Sequence, residues 1–179
     1  MYELPQSVTI NGTEYPIRSD YRAILDICMA LGDPELTDSE RATVLLDIFY
    51  YDALPLEYWE EGVKECLRFI NLGKDETEGS TVKLMDWEQD FQYIVAPINH
   101  VIGQEIRAMK YLHWWTFISA YYEMGDCLFA QIVRIRQKLK KGQKLDDYEK
   151  KFYKENRDMV DIKTKLTESE SEMFKKWGV

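Results

Sequence analysis

The side chains best suited to chemistry in this 179-residue chain are few: two histidines, His100 and His113, and three cysteines, Cys28, Cys66 and Cys127. A zinc centre needs several such ligands, usually with pairs at close spacing, and neither CxxC nor HExxH occurs. Met109 and Phe117 lie four residues to either side of His113. On a helix that spacing puts the ring at the edge of an apolar core, as a hydrogen-bonded structural histidine rather than a ligand or general base. The cysteines lie far apart, each among apolar residues at helical spacing. They read as buried, reduced thiols of a cytosolic protein.

Carboxylates are densest at Glu60-Glu61, at Asp86, Glu88 and Asp90, and at Asp146-Asp147. The alternating spacing at 86, 88 and 90 resembles a weak metal-binding pattern. Residues two apart do not share a helix face, however, and acidic residues in a first turn are explained by the helix dipole. No phosphate-cradling, dinucleotide-binding or nucleophile-elbow motif is present. The reading is a non-enzymatic protein with no metal and no cofactor, and a small carboxylate-dependent enzyme is the remote alternative.

What remains is Lys110-Tyr111-Leu112-His113-Trp114-Trp115-Thr116-Phe117, followed by Ile118-Ser119-Ala120-Tyr121-Tyr122. The stretch is a candidate partner-binding site or structural hub, carried by Tyr111, Leu112, His113, Trp114, Trp115, Phe117 and Tyr121. Adjacent helical residues point about 100° apart, so Trp114 and Trp115 would have different roles. A helix apolar on two sides is central in the fold, or central with one side at an interface.

The elements that must position these residues are mainly helical. Residues 7–17 predict a β-hairpin with Asn11-Gly12 as its two-residue turn, pairing Ile10 with Thr13 and Val8 with Tyr15. A first helix is expected from about Asp20 to Leu31, with Tyr21, Ile24, Leu25, Cys28 and Leu31 inward. Thr37 and Glu40 form a capping box for a second, with Val44, Leu45, Ile48 and Phe49 inward. Pro55 suits the first turn of a third, with Leu56, Trp59, Val63, Cys66, Leu67 and Ile70 inward. Residues 73–81 are a polar loop. Asp86 caps a fourth helix, which Pro97 should kink or break. A fifth carries the aromatic stretch from about Ile106 to Met124. A sixth covers Cys127 to Leu139, with Leu128, Ile132, Ile135 and Leu139 inward and Arg134, Arg136 and Lys138 outward. A thin-striped seventh, with Tyr148, Phe152, Met159 and Ile162 as its apolar positions, covers about Asp146 to Ile162. Thr167 could cap a short last one. The expectation is a mainly α protein, a bundle of about six to eight helices with an N-terminal β-hairpin. It forms one domain over 1–162 and a C-terminal appendage over 163–179.

The net charge of −9 disfavours nucleic acid as a partner. Residues 1–133 hold 9 basic and 23 acidic side chains, a net of −14, whereas 134–176 hold 14 and 9, a net of +5. An acidic body with a basic end can pair head to tail with further copies, though the split also fits solvated helix faces that happen to differ. No apolar run approaches the roughly 18 residues that span a bilayer, so no membrane partner is expected. The N-terminus has neither the basic nor the apolar region of a signal peptide.

Several pieces resemble, in order, the bacteriophage "gene product fifteen" family of small tailed-phage proteins. Tyr111-Leu112-His113-Trp114-Trp115-Thr116-Phe117 is similar to the family's central motif. Leu4-Pro5, Val8, Ile10, Gly12, Tyr15-Pro16-Ile17 and Asp20-Tyr21-Arg22 look like its start. Asp86-Trp87-Glu88-Gln89-Asp90 with Tyr93-Ile94 looks like its middle. Ile132, Ile135-Arg136 and Lys150-Lys151-Phe152-Tyr153-Lys154 look like its basic end. The resemblance covers about residues 2–160. It implies a non-enzymatic tail assembly chaperone, because family members are encoded between the major tail protein and the tape-measure protein. Such a chaperone would bind the helical tape-measure protein in the host cytoplasm and be absent from the virion. The alternative is a structural component of the tail.

Overall fold

A computed structural model describes residues 3–75 and 84–163. Residues 76–81 of the expected polar loop, and the expected last helix after Thr167, lie outside the described residues. Strands β1 (Ser7–Ile10) and β2 (Thr13–Pro16) are followed by eight α-helices among the described residues. These are α1 (Tyr21–Leu31), α2 (Asp38–Phe49), α3 (Trp59–Ile70), α4 (Trp87–Ile102), α5 (Trp114–Tyr122), α6 (Leu128–Lys140), α7 (Asp147–Glu155) and α8 (Arg157–Val160). The protein is mainly α with an N-terminal two-stranded antiparallel hairpin, as its periodicities predict. The described residues fall into two compact units, 3–75 with 111–116, and 84–110 with 117–163. Among the described residues no helix is long and apolar enough to cross a membrane.

In the first unit the hairpin has the expected register, Ile10 opposite Thr13 and Val8 opposite Tyr15. Its turn places Asn11 and Gly12 at φ 46° and 78°, the left-handed values that a two-residue turn requires. The Asp20 side chain caps α1 by accepting from the Arg22 amide. The Thr37–Glu40 capping box closes the start of α2 in both directions. Ile10, Ile17, Tyr21, Ile24, Ile27, Leu45, Phe49, Cys66 and Phe69 make the core. The inward faces differ in detail from those expected. Ile27 and Leu46 are buried, whereas Cys28 and Ile48 are only half-buried. Leu56 is 77% exposed, because the chain after Pro55 makes a 3-10 turn (Leu56–Tyr58) before α3 begins. That tighter turn takes Leu56 off the α-helical stripe.

In the second unit Asp86 caps α4 through the Gln89 amide, and Pro97 sits within one uninterrupted helix. The expected break is absent. The core is Ile94, Val95, Ile98, Ile106, Phe117, Ile118, Phe129, Ile132, Ile135 and Val160. Leu128 and Leu139, expected inward, are 44% and 39% exposed. They share a side of α6 with Ile132 and Ile135 but stand at its two ends. Arg136, expected outward, is 3% exposed. The expected seventh helix is two: α7 stops at Asn156 (φ −131°, ψ 37°) and α8 follows. Tyr148 in α7 is exposed rather than on an inward stripe.

Candidate functional site

The aromatic stretch is not one helix. After a 3-10 turn (Ile106–Ala108), residues 109–113 run without helix and α5 starts only at Trp114. The cause is a long-range pairing with the start of α1. His113 bridges Asp20 in antiparallel fashion, the Tyr21 amide donates to the Leu112 carbonyl at 2.9 Å, and the Trp114 amide donates to the Ser19 carbonyl at 2.8 Å. The Asp20 carboxylate also accepts from the Leu112 amide at 2.9 Å and from Arg22 at 3.0 Å. One carboxylate thus caps α1 and fixes the strand-like segment beside it. The helical spacing of Met109 and Phe117 around His113 therefore does not apply.

His113 is 2% exposed and both ring nitrogens are engaged. The Trp115 amide donates to Nδ1 at 3.0 Å, so the proton sits on Nε2, which donates to the Pro5 carbonyl at 2.9 Å. Burial lowers the ring's pKa from its ordinary 6.5, and the bond to Pro5 opposes that only in part. A neutral imidazole locked in one tautomer between two backbone groups is a structural joint, with no lone pair or proton left for a substrate.

The two tryptophans share one task. The indole of Trp114 donates to the Ile70 carbonyl at 3.0 Å and that of Trp115 to the Phe69 carbonyl at 2.9 Å. Both bonds go to carbonyls at the end of α3; the Phe69 carbonyl also accepts from the Leu72 amide at 3.1 Å, so its indole bond is an additional one. Beyond them α3 closes with Leu72 and Gly73 at φ 60° and 78°. Trp114 is 2% exposed and Trp115 is half-buried. The Trp115 ring joins a chain of aromatic contacts: Phe49 to Phe69 at 5.3 Å, Phe69 to Trp115 at 5.7 Å, and His113 to Trp115 at 6.1 Å. Leu112 is buried beneath them. Tyr111 is 46% exposed, and its hydroxyl closes a polar ring with Ser19 Oγ (2.8 Å) and Gln6 Nε2 (2.9 Å).

Phe117 and Tyr121 lie in the second unit. Phe117 is fully buried, 6.2 Å from the Trp87 ring. Tyr121 stands 5.6 Å from Trp87 and 6.1 Å from Phe129, and its hydroxyl donates to Met85 Sδ at 3.3 Å. Burial pushes the Tyr121 phenol up to about 12, with a further push from the nearby Tyr122 and Asp90 charges.

The second unit also holds a pair that the residue pattern did not reveal. Arg136 grips Asp90 through both carboxylate oxygens, at 2.6 and 2.9 Å, and the pair is 3% and 0% exposed. The remaining donors of Arg136 go to the carbonyls of Val160 (2.6 Å), Met159 (3.0 Å) and Leu84 (3.1 Å). All five guanidinium N–H groups are used. Asp90 also accepts from the Asp86 amide at 2.9 Å. The pair ties together the starts of α4 and the segment before it, the middle of α6 and the end of α8. The position of Asp90 in the first turn of α4 suits the helix dipole, like that of Glu88, but burial and the bidentate pair with Arg136 set it apart. A usable signal was present: Arg136 lies four residues after Ile132 on an apolar stripe.

Burial disfavours the thiolate form of Cys28 and Cys66: it pushes Cys28 up to about 12 and raises Cys66 well above its ordinary value. Cys66 is buried as expected, whereas Cys28 and Cys127 are only half-buried. Among the described residues no group of three or more His, Cys, Asp or Glu could hold a metal ion. In the aromatic stretch His113, Trp114 and Trp115 hydrogen-bond to backbone groups of the protein itself, and Tyr111 keeps an exposed ring.

Comparison with known proteins agrees with the central motif. No curated protein and no solved structure gives a significant match. A family model described as "Bacteriophage Gp15 protein" matches residues 1–162, most of the chain and all eight helices. The chain therefore belongs to the bacteriophage Gp15 protein family.

Proposed function

We propose that this phage protein is a non-enzymatic tail assembly chaperone that binds the tape-measure protein in the host cytoplasm while the tail tube polymerises. The observation that carries a binding role is the pair of exposed leucines on α6. Leu128 and Leu139 are eleven residues apart, which returns them to within about 20° of the same side and separates them by roughly 16 Å. Ile132 and Ile135, on the same side between them, are buried in the fold, so each leucine is a separate apolar contact at one end of α6 for an apolar client segment. Family membership supplies the phage setting, and the resemblance read from the central motif supplies the client.

The test is co-expression with the tape-measure protein of the same phage. The client should be soluble and co-purify with the wild type, and a Leu128→Ser/Leu139→Ser variant should lose most of that solubility. A client equally soluble with and without this protein would refute the reading. The second reading, a structural component of the tail, predicts the protein in stoichiometric amount in purified virions by mass spectrometry. The chaperone reading predicts its absence there.

A further inference from the structure

The first unit carries an open depression of about 510 Å³, lined by Arg18, Asp20, Asp26, Asp47, Tyr51 and Tyr111 among others. Tyr51 and Tyr111 are 60% and 46% exposed, so the depression offers two rings to a visitor. Its arginines are already engaged. Arg18 donates to the carbonyls of Asp47, Ile48 and Tyr50 and lies 4.8 Å over the Tyr51 ring, and Arg22 pairs with Asp20 at 3.0 Å. The Asp26 and Asp47 side chains are exposed and, among the described residues, neither carboxylate has a hydrogen bond or ion pair. What the depression has left to offer is two carboxylates beside the Tyr111 ring and the part of the Tyr51 ring that Arg18 does not cover. That combination holds an ammonium or guanidinium group by charge pairing and cation–π attraction together.

A supply of such groups exists on the same chain. Lys140, Lys141, Lys144, Lys151 and Lys154 are exposed and have no carboxylate partner among the described residues. They lie in the segment 134–176, of net charge +5, whereas 1–133 carries −14. We propose that the Tyr51–Tyr111 depression is the acidic half of a contact between copies of this chain, and that it takes lysine side chains from the 140–154 segment of a second copy. Burial raises the Asp26 carboxyl above its ordinary 3.8, as expected of a partly desolvated carboxylate with no counter-charge. A contact of unlike surfaces leaves one of each free at the ends, so copies add in a row rather than close as a two-fold pair. The proposal concerns copies of this chain alone and does not depend on the client.

Sedimentation velocity on the full chain tests it, using two variants. Asp26→Asn/Asp47→Asn removes the acidic half, and the five lysines changed to Gln remove the basic half. All seven positions are exposed, and circular dichroism melts check that the fold is kept. At about 20 mM salt the wild type should assemble beyond a dimer with rising concentration, and about 500 mM salt should disperse it. Each variant alone should be at least ten-fold weaker, and an equal mixture should form a dimer and nothing larger. Tyr51→Ser, which leaves every charge in place, should weaken assembly several-fold. A wild type that is monomeric at low salt overturns the proposal, including the case in which its own basic segment fills the depression. So does an Asp26→Asn/Asp47→Asn variant that assembles like the wild type, or a mixture that grows beyond a dimer.

Discussion

At the scale of single residues, the Asp90–Arg136 pair and His113 carry the sharpest consequences. The pair is buried and all its donors are used, so removing one partner strands the other. Asp90→Ala should cost about 3–5 kcal/mol in urea unfolding. Arg136→Met should cost a similar amount, because it also leaves the Leu84, Met159 and Val160 carbonyls without their donor. His113 predicts a pH dependence. The folded ring resists protonation, while the unfolded ring takes up a proton below its ordinary 6.5. The unfolded state then binds more protons, so stability falls as pH drops through that value. Melting temperatures between about pH 5 and 8 should show the decline, and His113→Asn should flatten it. The sequence shows that His113 is structural, but not why. Its partners, Pro5 and the Trp115 amide, combine a residue more than a hundred positions away with one only two away. Arg136 differs from expectation for a related reason: its charge suggests solvent, whereas its partner Asp90 lies 46 positions away and lets it be buried beside Ile132 and Ile135.

At the scale of elements, local signals were legible and long-range ones were not. The Asn11-Gly12 turn, the Thr37–Glu40 box and the Asp86 cap are each written in a few adjacent residues, and each forms as expected. The start of α5 is not local. Residues 109–113 have the apolar spacing of a helix, but the Leu112 amide and carbonyl bond to the Asp20 carboxylate and the Tyr21 amide, and the Trp114 amide that follows bonds to the Ser19 carbonyl. The tryptophan pair likewise makes sense only beside the end of α3. Trp115→Phe keeps most of the ring contact and loses the bond to the Phe69 carbonyl, so it should cost about 1 kcal/mol in chemical denaturation. Trp114→Phe, at a 2% exposed position, leaves a void as well and should cost more, about 2–3 kcal/mol. Equal costs for the two would contradict the division between a buried and a half-buried indole.

At the scale of the whole molecule, the chain belongs to a phage family. His113, Asp90 and Arg136 are joined to the fold by hydrogen bonds, and Cys66 is buried within it. The exposed large hydrophobic side chains include Tyr51 and Tyr111 in one unit, and Leu128, Leu139 and Tyr148 in the other. Exposed apolar and aromatic side chains suit partner contacts, which fits the proposed chaperone role. The most direct measurement is an affinity pull-down of the tagged full chain from infected or induced cells, with partners identified by mass spectrometry. The account predicts that the tape-measure protein of the same phage is the main partner recovered. Efficient recovery of the tagged chain with no tape-measure protein would contradict it.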